Sequence, residues 1–164
     1  SERGELAWPQ LGFEAHAGVQ RLYRDLGRLY RDVAALHDQD FEQGGFEWLD
    51  VDDAARSVLS FVRRARDGSF VVVALNFTPV PRDDYHVGVP RVGAYRELVN
   101  TDSRHYGGGD LGNRGEIVAR PGHPSHPATL ALAAALALML GLTVLLLKFL
   151  RRLLARWRGT ASAA

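Results

Sequence analysis

The 164-residue sequence contains no cysteine. Disulfide bonds, thiolate nucleophiles and zinc–thiolate sites are therefore excluded. Lysine is nearly absent too, since nineteen of the 20 basic residues are arginine. The formal net charge is only +1, and the five basic residues within 128–164 leave −4 for the rest of the chain. A mildly acidic body argues against a nucleic-acid partner.

The first residues of the sequence are not expected to form a signal for secretion. Its first residues, SERGELAWPQL, contain neither a basic region nor an apolar run. They do not form a signal peptide, and no initiator methionine precedes them. We expect the chain to begin inside a longer protein.

No motif marks a catalytic, cofactor or metal site. The segment GGGDLGN (107–113) lacks the Gly-Lys-Ser/Thr ending of a phosphate-binding loop. Asp50, Asp52 and Asp53 lack the remaining ligands of a calcium loop, so a turn is the better interpretation. We therefore expect no catalytic, cofactor-binding or metal-binding residue, and the substrate-binding residues stay unknown.

Two further groups of side chains were weighed as sites. His123 and His126 lie in the segment RPGHPSHP, where Pro124 disfavours the helix that usually carries metal-binding histidines at this spacing. Aromatic rings can also bind sugars, although core packing is their commoner role. The aromatic candidates are Phe46, Trp48, Tyr85, Tyr95 and Tyr106.

Residues 16–38 carry an apolar stripe typical of a helix. Its members are Val19, Leu22, Leu26, Leu29, Val33 and Leu36. Pairs spaced four apart, Arg21–Asp25 and Arg28–Asp32, are expected on the wetter side. The repeat is too short for a coiled coil, so we favour a helix docked on its own protein, with a partner-binding helix as the alternative.

Strand-like segments follow at short intervals: FEWLDV, SVLSFVRR, SFVVVALNF, YHVGVP and AYRELVN. Asp67-Gly68 predicts a hairpin turn. The continuous apolar run from Ser69 to Phe77 predicts a central strand buried on both faces. Together the segments predict an antiparallel β-sandwich.

The C-terminal tail differs from the rest. From Ala128 to Leu147 there are 20 uncharged residues, mostly alanine and leucine, which favour a helix and not a strand. A helix of that length reaches about 30 Å, the thickness of a bilayer core. Lys148, the following arginines and Trp157 resemble a membrane flank. The segment from Ala128 to Trp157 is thus a candidate membrane contact.

Four segments together resemble a known family: GVQRLYRDLGRLYRDVAALHDQDF, GFEWLDVDDAARSVLSFVRRARDG, NFTPVPRDDYHVGVP and YRELVNTDSRHYGGGDLGN. They are similar to the C-terminal part of bacterial 1,4-α-glucan branching enzymes, members of the α-amylase superfamily that act in glycogen synthesis. The similarity covers about residues 12–118, and NFTPVPR with NTDSRHYGG is its most specific part.

The resemblance implies a division of the chain. Residues 1–40 would be the last helix region of a catalytic barrel, 41–120 the C-terminal β-sandwich, and 121–164 a linker and an apolar, basic-flanked helical tail. The implied fold class is mainly β, an antiparallel sandwich between one amphipathic helix and a long apolar helix. The glycine-rich stretch 100–113 would be a structured loop whose glycines serve turn geometry.

The resemblance also implies a reaction, the transfer of α-1,4-glucan segments to a 6-hydroxyl by two barrel carboxylates that lie before Ser1. No catalytic residue carries over, so the chain alone is expected to be inactive. The expected partners are the barrel and, as a candidate, α-glucan; the expected location is cytoplasmic.

The tail departs from the family, and so does Ala7, which replaces an aspartate. Either Thr129–Leu132 supplies the last strand, or the sandwich lacks its closing edge. Two alternatives stay open: a membrane-tethered interaction or glucan-binding module, anchored through the C-terminal helix, and a tail produced by a frameshift.

Overall fold

The computed structural model describes residues 8–134, and within them one helix precedes seven strands. The elements are α1 (Glu14–Asp32), β1 (Phe46–Asp50), β2 (Val58–Arg64), β3 (Phe70–Asn76), β4 (Arg82–Val89), β5 (Gly93–Arg96), β6 (Glu116–Ala119) and β7 (Ala128–Ala134). Short 3-10 turns lie at Trp8–Gly12, Ala34–Leu36, Gln43–Gly45 and Arg104–Tyr106.

The strands form three small antiparallel sheets, in the orders β1-β2-β3, β4-β7 and β5-β6. A bridge between Arg120 and Thr129 joins the end of β6 to β7. The sheets enclose one apolar core, whose buried members are Val58, Tyr85, Val87, Val89, Ala119, Ala128, Leu130 and Leu132. The predicted antiparallel all-β architecture, preceded by one helix, is confirmed.

The tail begins as a strand, and this corrects the prediction of a helix from Ala128. β7 pairs with β4 so that Leu130 lies opposite Val87 and Leu132 opposite Tyr85. This pairing buries both leucines in the core, which outweighs the helix propensity of an alanine- and leucine-rich segment. Of the two alternatives for the closing edge, the strand at Thr129–Leu132 is confirmed.

The same strand bears on two other predictions. β7 pairs with β4 across the predicted domain boundary after residue 120, and the division into 1–40, 41–120 and 121–164 stays a prediction. The rest of the predicted apolar helix, including Lys148 and Trp157, lies outside the described residues. Between residues 8 and 134, none of the helices is both long enough and apolar enough to cross a membrane.

The central strand of the first sheet is β2, not β3 as predicted. Val58 and residues 60–63 of β2 are buried, whereas residues 70–74 of the apolar β3 are only half-buried because β3 lies at the edge of this sheet. The turn between them follows the prediction. Asp67 accepts a hydrogen bond from the Ser69 amide at 2.8 Å, and Gly68 has a φ of 82°, which glycine tolerates.

Helix α1 is shorter than the predicted range 16–38. It ends at Asp32, Val33 is extended, and Ala34–Leu36 forms a separate 3-10 turn. The two predicted ion pairs on its surface are also wrong. Arg21 instead pairs with Glu14, and Arg28 lies 3.5 Å from Asp25, whose other carboxylate oxygen accepts a hydrogen bond from Tyr106.

Candidate functional site

The loop 100–113 is organised around one aspartate. The Asp102 carboxylate accepts hydrogen bonds from the amides of Gly109 and Leu111 at 3.0 and 2.9 Å. Its own carbonyl accepts one from the Asp110 amide at 2.7 Å. A side chain on Gly108 would collide with the Asp102 backbone, so the chain can fold back this closely only with glycine there. The glycines thus belong to a structured loop, as the family resemblance implies.

This loop docks on α1 through polar contacts. The Tyr106 hydroxyl donates to Asp25 Oδ2 at 3.1 Å, and Arg21 Nε donates to the His105 carbonyl at 2.7 Å. His105 Nε2 also lies 3.4 Å from the Asp25 carboxylate. Burial and the Asp25 carboxylate raise the pKa of Tyr106, so its hydroxyl remains a donor at neutral pH.

Close backbone approach completes this first junction between helix and sandwich. Gly18 is buried on α1, and a methyl group in its place would overlap the Tyr106 carbonyl. The neighbouring Leu22 is 2% exposed. Gly27, on the same helix, faces open space and is a natural comparison.

A second junction fixes the segment after α1 to β2. Arg63 is 3% exposed and pairs with the Asp40 carboxylate, and its guanidinium also lies 3.4 Å from the Leu36 carbonyl. The Tyr30 hydroxyl donates to the other Asp40 oxygen at 2.6 Å, and this hydrogen bond raises the pKa of Tyr30. Helix and sandwich are therefore joined at two places, one on the first half and middle of α1 and one at its C-terminal end and the segment after it.

Between the two junctions the apolar stripe of α1 is incompletely covered. Leu22 is its one fully buried member, while Val19, Leu26 and Leu29 are half-buried, as are Val33 and Leu36 just after the helix. Phe13, just before the helix, is 66% exposed. This side of α1 therefore has room to contact further structure.

Near the second junction lies one of the aromatic candidates. Trp48 is 37% exposed, and in the β1–β2 pairing it lies opposite Phe61, two residues from Arg63 on the same face of the sheet. Its ring meets the edges of Phe46 and Phe61 at centroid distances of 4.8 and 5.8 Å. Of the five aromatic candidates, Tyr85 is core, and Phe46, Tyr95 and Tyr106 are half-buried.

The candidate aspartates take part in turns. Asp50 accepts a hydrogen bond from the Asp52 amide at 3.0 Å, and Asp53 accepts one from the Arg56 amide at 3.2 Å. Asp53 also accepts from the buried Tyr85 hydroxyl at 2.8 Å. In the part of the chain that the structure describes, no group of three or more His, Asp or Glu side chains is arranged to hold a metal ion.

The sequence reasoning missed both junctions. Their residues are separated by 81 positions for Tyr106 and Asp25, and by 23 for Arg63 and Asp40. The family resemblance marked NTDSRHYGG as one of its most specific segments. The residues of that segment carry no pattern that predicts a contact with α1.

The described residues thus form a small antiparallel all-β domain that holds one helix by polar junctions. The chain belongs to the family "Alpha amylase, C-terminal all-beta domain", which matches residues 48–142, more than half of its length.

Three larger proteins similar to this chain are each named as 1,4-alpha-glucan branching enzymes. The chain is 57% identical over 121 residues to a 1,4-alpha-glucan branching enzyme of Nitrosospira multiformis, covering 74% of this chain and 16% of the relative. It is 56% identical over 122 residues to that of Dechloromonas aromatica, covering 74% and 20%. With the enzyme of Mesorhizobium japonicum it shares 47% over 142 residues, covering 87% and 19%. The chain thus spans a fifth or less of these relatives.

Proposed function

We propose that this chain is the accessory C-terminal part of a 1,4-α-glucan branching enzyme. In this role, residues 1–40 contribute the last helix region of a catalytic barrel and the sandwich supports that helix. The enzyme would transfer α-1,4-glucan segments to a 6-hydroxyl, in the cytoplasm where glycogen is made. The identity of 57% to a branching enzyme over 121 residues supports this assignment.

The double attachment of α1 carries the proposal. Two polar junctions hold the helix against the sandwich, while three stripe residues of α1 and two just after it remain half-buried. An amphipathic helix gains its stability by burying its apolar side, so a held but incompletely covered stripe suits a helix that packs on further structure. A barrel to which the helix belongs would provide that structure.

Four aspartates of the described region have structural roles, which fits an accessory part. Glycosyl transfer needs a nucleophilic carboxylate and a carboxylic acid on either side of one bond. Asp25, Asp40 and Asp53 instead hold a tyrosine hydroxyl each, and Asp102 holds its own loop. We assign the chemistry to the barrel.

Glucan contact through this part of the chain is a weaker candidate. Trp48 is the most exposed of the five aromatic candidates, but it lies on the sheet face that carries the second junction. We therefore assign Trp48 to the contact with the barrel before any contact with glucan.

The proposal predicts that the purified chain has no branching activity. The test is incubation with amylose, followed by iodine staining and by the appearance of α-1,6 linkages. The Dechloromonas aromatica enzyme is the positive control. Turnover by the isolated chain above the buffer blank would contradict the assignment.

A further inference from the structure

Two imidazole rings lie directly on the backbone of a core strand. His123 and His126 have ring centroids 5.0 Å apart, and both rings cover Gly88 of β4. His126 Nε2 lies 3.3 Å from the carbonyl of Leu49 in β1. The segment that connects β6 to β7 thus contacts both β4 and β1, which belong to different sheets.

Gly88 is required here for space. It has no positive φ, unlike the turn glycines, so its backbone suits any residue. A Cβ at this position would overlap His126 Cδ2 and lie 2.7 Å from His123 Cε1. Glycine inside a strand is destabilising by itself, and here it allows the close approach of two side chains.

The hydrogen bonds determine the protonation of both rings. The Ser125 amide donates to His123 Nδ1 at 3.2 Å, so that nitrogen carries no proton. The Leu49 carbonyl can only accept, so His126 Nε2 carries a proton. His123 must therefore be neutral for this arrangement, whereas His126 can keep its hydrogen bond in either state.

We propose that His123 and His126 form a pH-sensitive latch over Gly88. The latch ties β1 to β4 when His123 is neutral and opens when His123 is protonated. Protonation removes the acceptor of the Ser125 amide and places a positive charge against the ring of His126.

The groups around His123 favour its neutral form, in which the latch is closed. Burial, the charge of His126 and that of His86 on β4 lower the pKa of His123 below its ordinary 6.5, while Asp50 of β1 acts in the opposite sense. Asp84 of β4 lies with its carboxylate 3.2 Å from the His86 ring. Neutral His123 is therefore favoured in the closed latch.

The sign of the effect on stability follows from linkage. A histidine with a lowered pKa in the folded protein binds fewer protons than in the unfolded chain. Its contribution to stability is complete above the unfolded pKa of about 6.5 and declines as the pH falls below that value. The β1 edge, with Trp48, is then released first.

The test compares the full chain with three variants between about pH 7.5 and pH 5.5, the range in which histidine titrates. His123→Gln removes the titrating ring, Gly88→Ala displaces both rings, and His16→Gln removes an exposed histidine at the start of α1. The readouts are the thermal unfolding midpoint, the amide protection factors of β1, and the NMR titration of the His123 Hε1 proton.

We expect the wild type and His16→Gln to lose stability and β1 protection in acid, and both latch variants to lose less. The His123 resonance of the wild type should titrate below the ordinary histidine pKa of about 6.5. If a latch variant fails to fold, the titration and protection of the wild type decide alone. The latch is refuted by His123 titrating with a pKa at or above about 6.5, by β1 protection that is independent of pH, or by folded latch variants with the full pH dependence of the wild type.

Discussion

The buried Arg63–Asp40 pair allows a sharp test of how the helix segment is held. Asp40→Asn keeps the shape of the side chain but removes the charge opposite a guanidinium that is 3% exposed. Leaving a buried charge unpaired costs about 3–5 kcal/mol. We expect about 3 kcal/mol, the lower end, because the asparagine oxygen still accepts a hydrogen bond. Typical domains have only about 5–15 kcal/mol of stability, so the loss is large.

A matched control lies on the neighbouring residue of the same strand. Arg64 pairs with Glu47 at 2.6 Å, but these side chains are 32% and 48% exposed. Solvent screens such a pair, so Glu47→Gln should cost only about 0.2–1 kcal/mol. The comparison separates burial from the mere presence of an ion pair.

The assay is urea unfolding followed by circular dichroism, with the slope m checked for constancy. Adding Arg63→Met to Asp40→Asn should recover stability, because the unpaired charge is then gone. Asp40→Asn should also lower the pKa of Tyr30 toward 10.0, since the hydrogen bond to Asp40 is the main cause of its rise. The reasoning is refuted if Asp40→Asn costs no more than Glu47→Gln, or if Arg63→Met adds to the loss.

Two further predictions concern α1. Gly18→Ala forces a methyl group onto the Tyr106 carbonyl, so it should lower the free energy of unfolding in urea by about 1–3 kcal/mol. Gly27→Ala lies in open space and should stabilise the helix by up to about 1 kcal/mol. Equal effects of the two changes would argue against the first junction. Replacing the half-buried Leu26 and Leu29 with glutamine should raise the solubility limit in ammonium sulfate. Each change should lower the free energy of unfolding by no more than about 1 kcal/mol. Unfolding of the whole sandwich would show that this chain itself covers the stripe.

Local patterns were enough to predict much of the fold. Asp67-Gly68 correctly placed the β2–β3 turn because only a few residues tolerate positive φ there. The three- and four-residue spacing of the stripe correctly placed α1, although not its end at Asp32. These features depend on residues close together in the chain.

The errors arose where distant packing outweighed local preference. Alanine and leucine favour a helix, but Leu130 and Leu132 also alternate with smaller residues, the period of a half-buried strand. Pairing with β4 then selects the strand. The latch over Gly88 and the Arg63–Asp40 pair join positions that are far apart in the sequence, and no local pattern reveals them.

The most direct test of the accessory role is a chimera. Residues 8–134 of this chain replace the matching segment of the Dechloromonas aromatica branching enzyme, to which the chain is 56% identical over 122 residues. Gel filtration and circular dichroism establish that the chimera folds as its parent does. We predict that it branches amylose at a rate comparable with the parent, and that Gly18→Ala in the graft lowers this rate while Gly27→Ala does not. A correctly folded chimera without branching activity would contradict the assignment.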